Sequence, residues 1–157
     1  MAVARSKIAP SLDDVLDFLG LIWTVDHALQ SLSKRMSSSS GITGPQRLVL
    51  RLIGAFPGSA AGQLADKLHL HPSTLTGVFG RLEERGWIKR SSDDADKRRA
   101  IFTLTRRGQV IDGKIEGTVE DAVRKTLGRV SPADLKAAAK VLEALAEEIT
   151  LMNQDAG

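Results

Sequence analysis

The chain of 157 residues contains no cysteine and no tyrosine, and only 4% of it is aromatic. Without cysteine there is no disulfide, no thiol nucleophile, no cysteine-ligated zinc and no cysteine-based peroxide sensor. Histidine is scarce, at three. Neither a Gly-x-Ser-x-Gly elbow nor a phosphate-binding glycine loop is present. Scattered serines and carboxylates with no base beside them do not make a catalytic site, so an enzyme is not expected, and no cofactor or metal. The pair His69-x-His71 has neither cysteine nor an acidic ligand set beside it and reads as turn chemistry. No apolar run approaches the ~18 residues of a membrane span. Residues 1–10 lack the apolar stretch of a signal peptide and read as a loose arm carrying Arg5 and Lys7. The expectation is a cytoplasmic protein with no membrane partner.

What is present is an ordinary charge load (26%) with a mild basic excess, +3 net and a pI near 9.4. Such a bias is compatible with nucleic acid only if the positions of the charges support it. The most informative stretch is 64–105. A short helix with inner face Ala61, Leu64, Ala65 and Leu68 is followed by a turn at 69–72. Pro72 then starts a second helix that buries Leu75, Val78, Phe79 and Leu82 at i, i+3, i+4, i+7 spacing. Its other face carries Ser73, Thr74, Gly77, Gly80 and Arg81, slim and hydrogen-bonding, a shape suited to a DNA major groove. Two short helices joined this closely match helix-turn-helix geometry. After Gly86, residues 87–90 read as a strand and 100–104 as its partner, with a charged hairpin tip between them. Lys89, Arg90, Lys97 and Arg99 are expected as phosphate neighbours.

The flanks are helical. Ser11 is a candidate cap for a helix running to about Met36, with Asp13 and Asp14 in its first turn. Leu12, Val15, Leu16, Leu19, Ile22, Trp23 and Leu29 form one apolar stripe. Phe18, Leu21, Val25 and Leu32 widen it beyond what docking on one domain requires. The serine-rich run 37–41 reads as a loop. Thr43-Gly44-Pro45-Gln46 has capping-box spacing and opens a helix buried through Leu48, Val49, Leu52 and Ile53. Ser59 reads as the next cap. Thr105 is expected to cap one long helix to about Leu127, and Ser131-Pro132-Ala133-Asp134 to start the last. The predicted fold class is mainly α with a small β-hairpin wing. A winged helix-turn-helix domain (43–105) joins a helical dimerisation region (11–36 and 106–152). A two-fold dimer would set two such modules on major-groove faces ~34–36 Å apart.

Asp93-x-x-Asp96-Lys97-Arg98, followed by Leu104-Thr105-x-x-Gly108, resembles the wing signature of the MarR (multiple antibiotic resistance regulator) family. Pro72-Ser73-Thr74-Leu75-Thr76 and Arg81-Leu82-Glu83-Glu84-Arg85-Gly86 resemble its recognition helix. Thr43-x-x-Gln46-x-x-Val49-Leu50 resembles its second helix, and the likeness covers about 11–150. The resemblance implies a dimeric transcription regulator, usually a repressor, released from a palindromic double-stranded operator by a small aromatic or phenolic effector. Carried over by position, Arg98 would enter the minor groove with Asp96 holding its guanidinium. Ser73, Thr74, Thr76 and Arg81 would face bases or phosphates. Gly77 and Gly80 depart from the pattern, since many relatives carry larger polar side chains there. The family's effector pocket lies where dimer helices meet the DNA module. That would place Trp23, Asp26 and His27 against an aromatic acid, with Arg47 or Arg51 pairing its carboxylate. A winged-helix protein-interaction module without DNA binding is the alternative, and the presence of both Arg98 and Arg81 discriminates against it.

Overall fold

A computed structural model describes residues 9–68 and 70–155 of the chain. Apart from Ala9 and Pro10, the arm expected at 1–10 lies outside the described residues, as does His69. The elements are α1 (Leu12–Ser40), α2 (Gly44–Ala55), β1 (Ser59–Ala60), α3 (Ala61–Lys67) and α4 (Pro72–Glu84). They continue with β2 (Ile88–Ser92), β3 (Ala100–Leu104), α5 (Arg106–Asp112), α6 (Val119–Leu127) and α7 (Pro132–Asp155). Internal contacts divide the chain into one unit ending at Val119 and a second beginning at Glu120.

In the first unit, helices α2, α3 and α4 enclose one core. Leu50, Ile53, Leu64, Ala65, Leu75, Phe79 and Leu82 are buried together, and Trp87, Ile88 and Phe102 close the core from the sheet side. Phe79 of α4 stacks on Phe102 of β3 with ring centroids 4.3 Å apart. Removing such side chains from water contributes roughly 1.5–3 kcal/mol each. The sheet has strand order β1-β3-β2, both pairings antiparallel, with Arg90 opposite Phe102 and Ser59 opposite the same residue on the far side. The wing is therefore a three-stranded sheet, not a hairpin alone. Ser59 lies in β1 and does not cap α3; the Gln63 side chain accepts the Ala60 amide at 3.0 Å instead.

Thr105 caps α5 as its sequence position suggests, accepting the Gly108 amide at 3.1 Å while its hydroxyl donates to the Gly86 carbonyl at 2.7 Å. A Cβ on Gly108 would sit 1.9 Å from the Trp87 carbonyl oxygen. The Leu104-Thr105-x-x-Gly108 motif thus fixes α5 to the wing: threonine supplies the cap, and glycine lets backbone approach backbone. The long helix expected over 105–127 is broken. It stops at Asp112, and Gly117, at φ 74°, adopts a conformation that side-chain-bearing residues avoid. Val110, placed in the expected stripe, is exposed.

Helix α1 ends later than its composition suggests. The run 37–40 is helical, and the Gly41 amide closes the end onto the Ser37 carbonyl at 3.0 Å. Ser38 and Ser39 turn their hydroxyls back onto the Lys34 and Met36 carbonyls, and Met36 anchors this end in the core. Docking has overridden a loop-like composition. The α1–α2 junction is fastened by the Gly44 amide donating to Ser33 Oγ at 2.8 Å. The expected capping box Thr43–Gln46 is formed, and the expected cap Ser11 makes one as well, with Asp14. The Asp14 carboxyl is held below the usual carboxylate range by hydrogen bonds from the Ser11 hydroxyl and amide. Towards its N-terminus α1 is uncovered: Leu12, Leu16, Leu19, Leu21 and Val25 are exposed. In the second unit, Ser131 caps α7 through a hydrogen bond with the Asp134 amide (3.1 Å), and Leu142, Ile149 and Met152 of that helix are exposed.

Candidate nucleic-acid interface

Helix α4 is anchored by its apolar face. With Leu75, Phe79 and Leu82 in the core, the opposite side presents Ser73, Thr74, Thr76, Gly77 and Arg81, all exposed, while Gly80 is half-buried. A Cβ added at Gly77 or Gly80 would meet nothing within 4 Å. Nothing among the described residues therefore requires glycine at either place. The helix begins at Pro72, whose missing N–H is not needed in a first turn, and His71 caps it. Arg85, at the C-terminal end, lies over the Trp87 ring (5.3 Å to the centroid), so its guanidinium is turned toward the protein.

The wing tip is held by its own acids. Asp93 accepts the Ala95 amide at 2.9 Å and Asp96 accepts the Arg98 amide at 3.1 Å, two tight turns built by short carboxylates. The backbone ties Asp93 to Arg99 and Arg99 to Asp96, each at 2.9 Å. Each acid also faces a cation. Lys97 Nζ is 2.9 Å from Asp94, Arg98 Nε 3.5 Å from Asp96, and Arg99 Nη1 3.9 Å from Asp93. Asp93 and Asp96 thus organise the loop, while Asp94, itself fully exposed, offsets its charge against Lys97. The Arg98 side chain is 94% exposed and projects from the tip. Arg90, Ser91, Ser92, Lys97, Arg98 and Arg99 border a shallow depression of about 260 Å³, so the β2 face and the tip form one cationic surface.

These features match a known group of proteins. A family profile described as "MarR family" matches residues 42–100. Transcriptional regulator HosA of Escherichia coli O111:H- is 33% identical over 90 residues, 57% of this chain and 67% of HosA. The chain belongs to the MarR family. An HTH-type transcriptional repressor of Mycobacterium tuberculosis is 26% identical over 82% of this chain and 92% of its own length. TtmR, an HTH-type transcriptional regulator of Methylorubrum extorquens, is 29% identical over 87% of this chain, which spans 66% of TtmR. Among solved structures, that of the Staphylococcus aureus MepR–DNA complex aligns with a TM-score of 0.67 at 17% identity, covering 84% of this chain and 97% of that one. As a MarR-family protein the chain is a DNA-binding transcriptional regulator and not an enzyme. No helix among the described residues is long and apolar enough to cross a membrane.

The five residues expected around an effector are not gathered in one place. Trp23 is 70% exposed on α1, His27 is exposed beside it, and Asp26 accepts from Gln30 one turn on. Arg47 is 1% exposed and donates to the carbonyls of Ile111 and Asp112. Arg51 pairs with the Asp112 carboxylate at 2.8 Å. Both arginines thus tie α2 to the C-terminal end of α5, where helix carbonyls lack partners and a cation is favoured. Arg47 does border a cavity of about 620 Å³, with Met36, Ile42, Lys114, Ile115 and Thr118. Half of this wall comes from the break between α5 and α6, which the apolar periodicity hid. Gly113 and Gly117, flanking Lys-Ile-Glu, were the available signal.

Proposed function

We propose that this MarR-family regulator is a homodimeric, cytoplasmic repressor that binds a palindromic operator and is released by a small aromatic or phenolic effector. The observation that carries the DNA part is the wing. Asp93 and Asp96 build its turns, and an exposed Arg98, aligned by Asp96, projects from it beside Lys97 and Arg99. An arginine so presented suits a narrow minor groove, where negative potential is enhanced. In this reading Ser73, Thr74, Thr76 and Arg81 meet the adjacent major groove, and Lys97 and Arg99 meet phosphates. Dimerisation is supported by the uncovered leucines of α1 and of α7, in the regions 11–36 and 106–152. Isolated surface leucines are ordinary, but a continuous set along a helix asks for a partner.

The effector is assigned to the cavity beside Arg47. Its volume falls in the usual range for small-molecule sites. Met36, Ile42 and Ile115 offer an apolar bed, and Lys114 a cation for a carboxylate or phenolate. Trp23, Asp26 and His27 do not border it. A ligand there acts by preferring a dimer whose recognition helices are wrongly spaced.

The test is Arg98→Ala, with binding measured on a duplex selected from a random-sequence pool. Affinity should fall about 10-fold or more with the dimer intact. Unchanged affinity would sink the wing assignment.

A further inference from the structure

His71 occupies a position that usually goes to Ser, Thr, Asp or Asn, the residue capping the start of a helix. Its Nδ1 accepts the Ser73 backbone N–H at 3.3 Å and lies 2.7 Å from Ser73 Oγ. An amide N–H can only donate, so the nitrogen it points at carries the lone pair and the ring proton sits on Nε2. In the 2.7 Å contact the Ser73 hydroxyl is then the donor.

A free serine hydroxyl donates one hydrogen bond and accepts two. With its hydrogen committed to His71, Ser73 Oγ presents lone pairs alone to whatever approaches. Both residues are exposed, in the cap and first turn of α4. That is the part of a recognition helix that meets base edges. In the major groove the donors are the exocyclic amines, N6 of adenine and N4 of cytosine, whereas guanine O6 and N7 and thymine O4 accept.

We propose that His71 is a positioning residue that fixes the hydrogen-bond sense of Ser73, so that this serine selects an exocyclic amino group and rejects the acceptor edges of guanine and thymine. The proposal rests on the reading of α4 as the helix that contacts DNA.

The experiment uses the full-length protein and a duplex it has selected from a random-sequence pool. At each half-site position the amine alone is deleted, adenine becoming purine and cytosine becoming 2-pyrimidinone. One position per half-site should show a loss of about 3- to 10-fold in wild type, the size of a single hydrogen bond. The modified base at which it occurs names adenine or cytosine. In Ser73→Ala the same deletion should cost less than about 2-fold. The role of His71 is read by exchanging the amine for a carbonyl, adenine becoming guanine or cytosine becoming thymine with the pairing base changed to match, because a serine freed from His71 can turn its hydrogen toward the new acceptor. The exchange should cost wild type about 10-fold or more and His71→Ala less than about 3-fold. His71→Asn, whose amide oxygen can accept in the same place, should restore the wild-type discrimination. The readout is a ratio within each variant, so a general weakening from a poorer cap cancels. A His71→Ala protein that discriminates as wild type does overturns the proposal. So does a selected duplex on which no amine deletion depends on Ser73. If wild type enriches no duplex, the reading of α4 beneath the proposal fails instead.

Discussion

Arg47, which the family resemblance would set against an effector's carboxylate, holds helix-end carbonyls of its own chain. Its burial was not legible in the sequence, because the partner carbonyls at Ile111 and Asp112 lie more than sixty residues on. A buried guanidinium satisfying helix-end carbonyls leaves them stranded when removed. Arg47→Ala should therefore cost about 2–4 kcal/mol in urea denaturation; a change below 1 kcal/mol would show that the carbonyls find other partners. At the wing, the pattern Asp-x-x-Asp-Lys-Arg was readable, while the division of labour among its acids needed the fold. Asp96→Asn keeps an acceptor for the Arg98 amide but loses the charge that aligns the guanidinium. DNA affinity should fall less than for Arg98→Ala, by a few-fold, in a titration on the same duplex. At Gly77 and Gly80 the open space predicts the opposite sign. Alanine at either should raise stability by up to about 1 kcal/mol, read as a higher urea midpoint. A destabilised variant would mean that an unrecognised contact fills that space.

At the scale of elements, local chemistry carried furthest where side chains act on neighbouring backbone. The caps at Ser11, Thr43, Thr105 and Ser131 stand where the sequence places them, because a cap needs only three or four residues to define it. The apolar face of α4 was equally legible. Strand β1 was not: two residues show no alternation, and their pairing depends on β3, some forty positions away. The serine run at the end of α1 was misread as loop because composition knows nothing of Met36 docking in the core. The break before α6 was masked by apolar residues that continue in helical phase across it. Gly108 is the element-level prediction. Its missing side chain lets α5 lie against the backbone at Trp87, so Gly108→Ala must force α5 off the wing. We expect a loss of several kcal/mol or failure to fold, followed by thermal melting, with Gly113→Ala as the mild control. The Asp14 cap adds a small pH term. Its folded carboxyl is depressed, so its contribution is complete above the usual carboxylate range and lost as pH falls through the lowered value.

For the whole molecule, a net charge of +3 is too small to hold DNA by bulk attraction, so affinity has to come from where the cations sit. Binding should nonetheless weaken steeply with salt, since the wing and β2 cations displace counterions. In the proposed dimer the uncovered apolar length of α1 is the seam. Leu16→Glu with Leu19→Glu should turn a dimer into a monomer in sedimentation, while the module built on α2, α3, α4 and the sheet keeps its cooperative melt. A monomeric wild type would remove the basis for paired recognition. In the proposed dimer two copies of one wing-and-helix module read one turn of DNA each, held at fixed spacing by their flanking helices. The most direct test is to let the full-length protein enrich duplexes from a random pool and read the sequences. Paired recognition predicts an inverted repeat with half-site centres about 10 base pairs, or a multiple of a turn, apart. Enrichment of single, unrepeated sites, or of none, would contradict it.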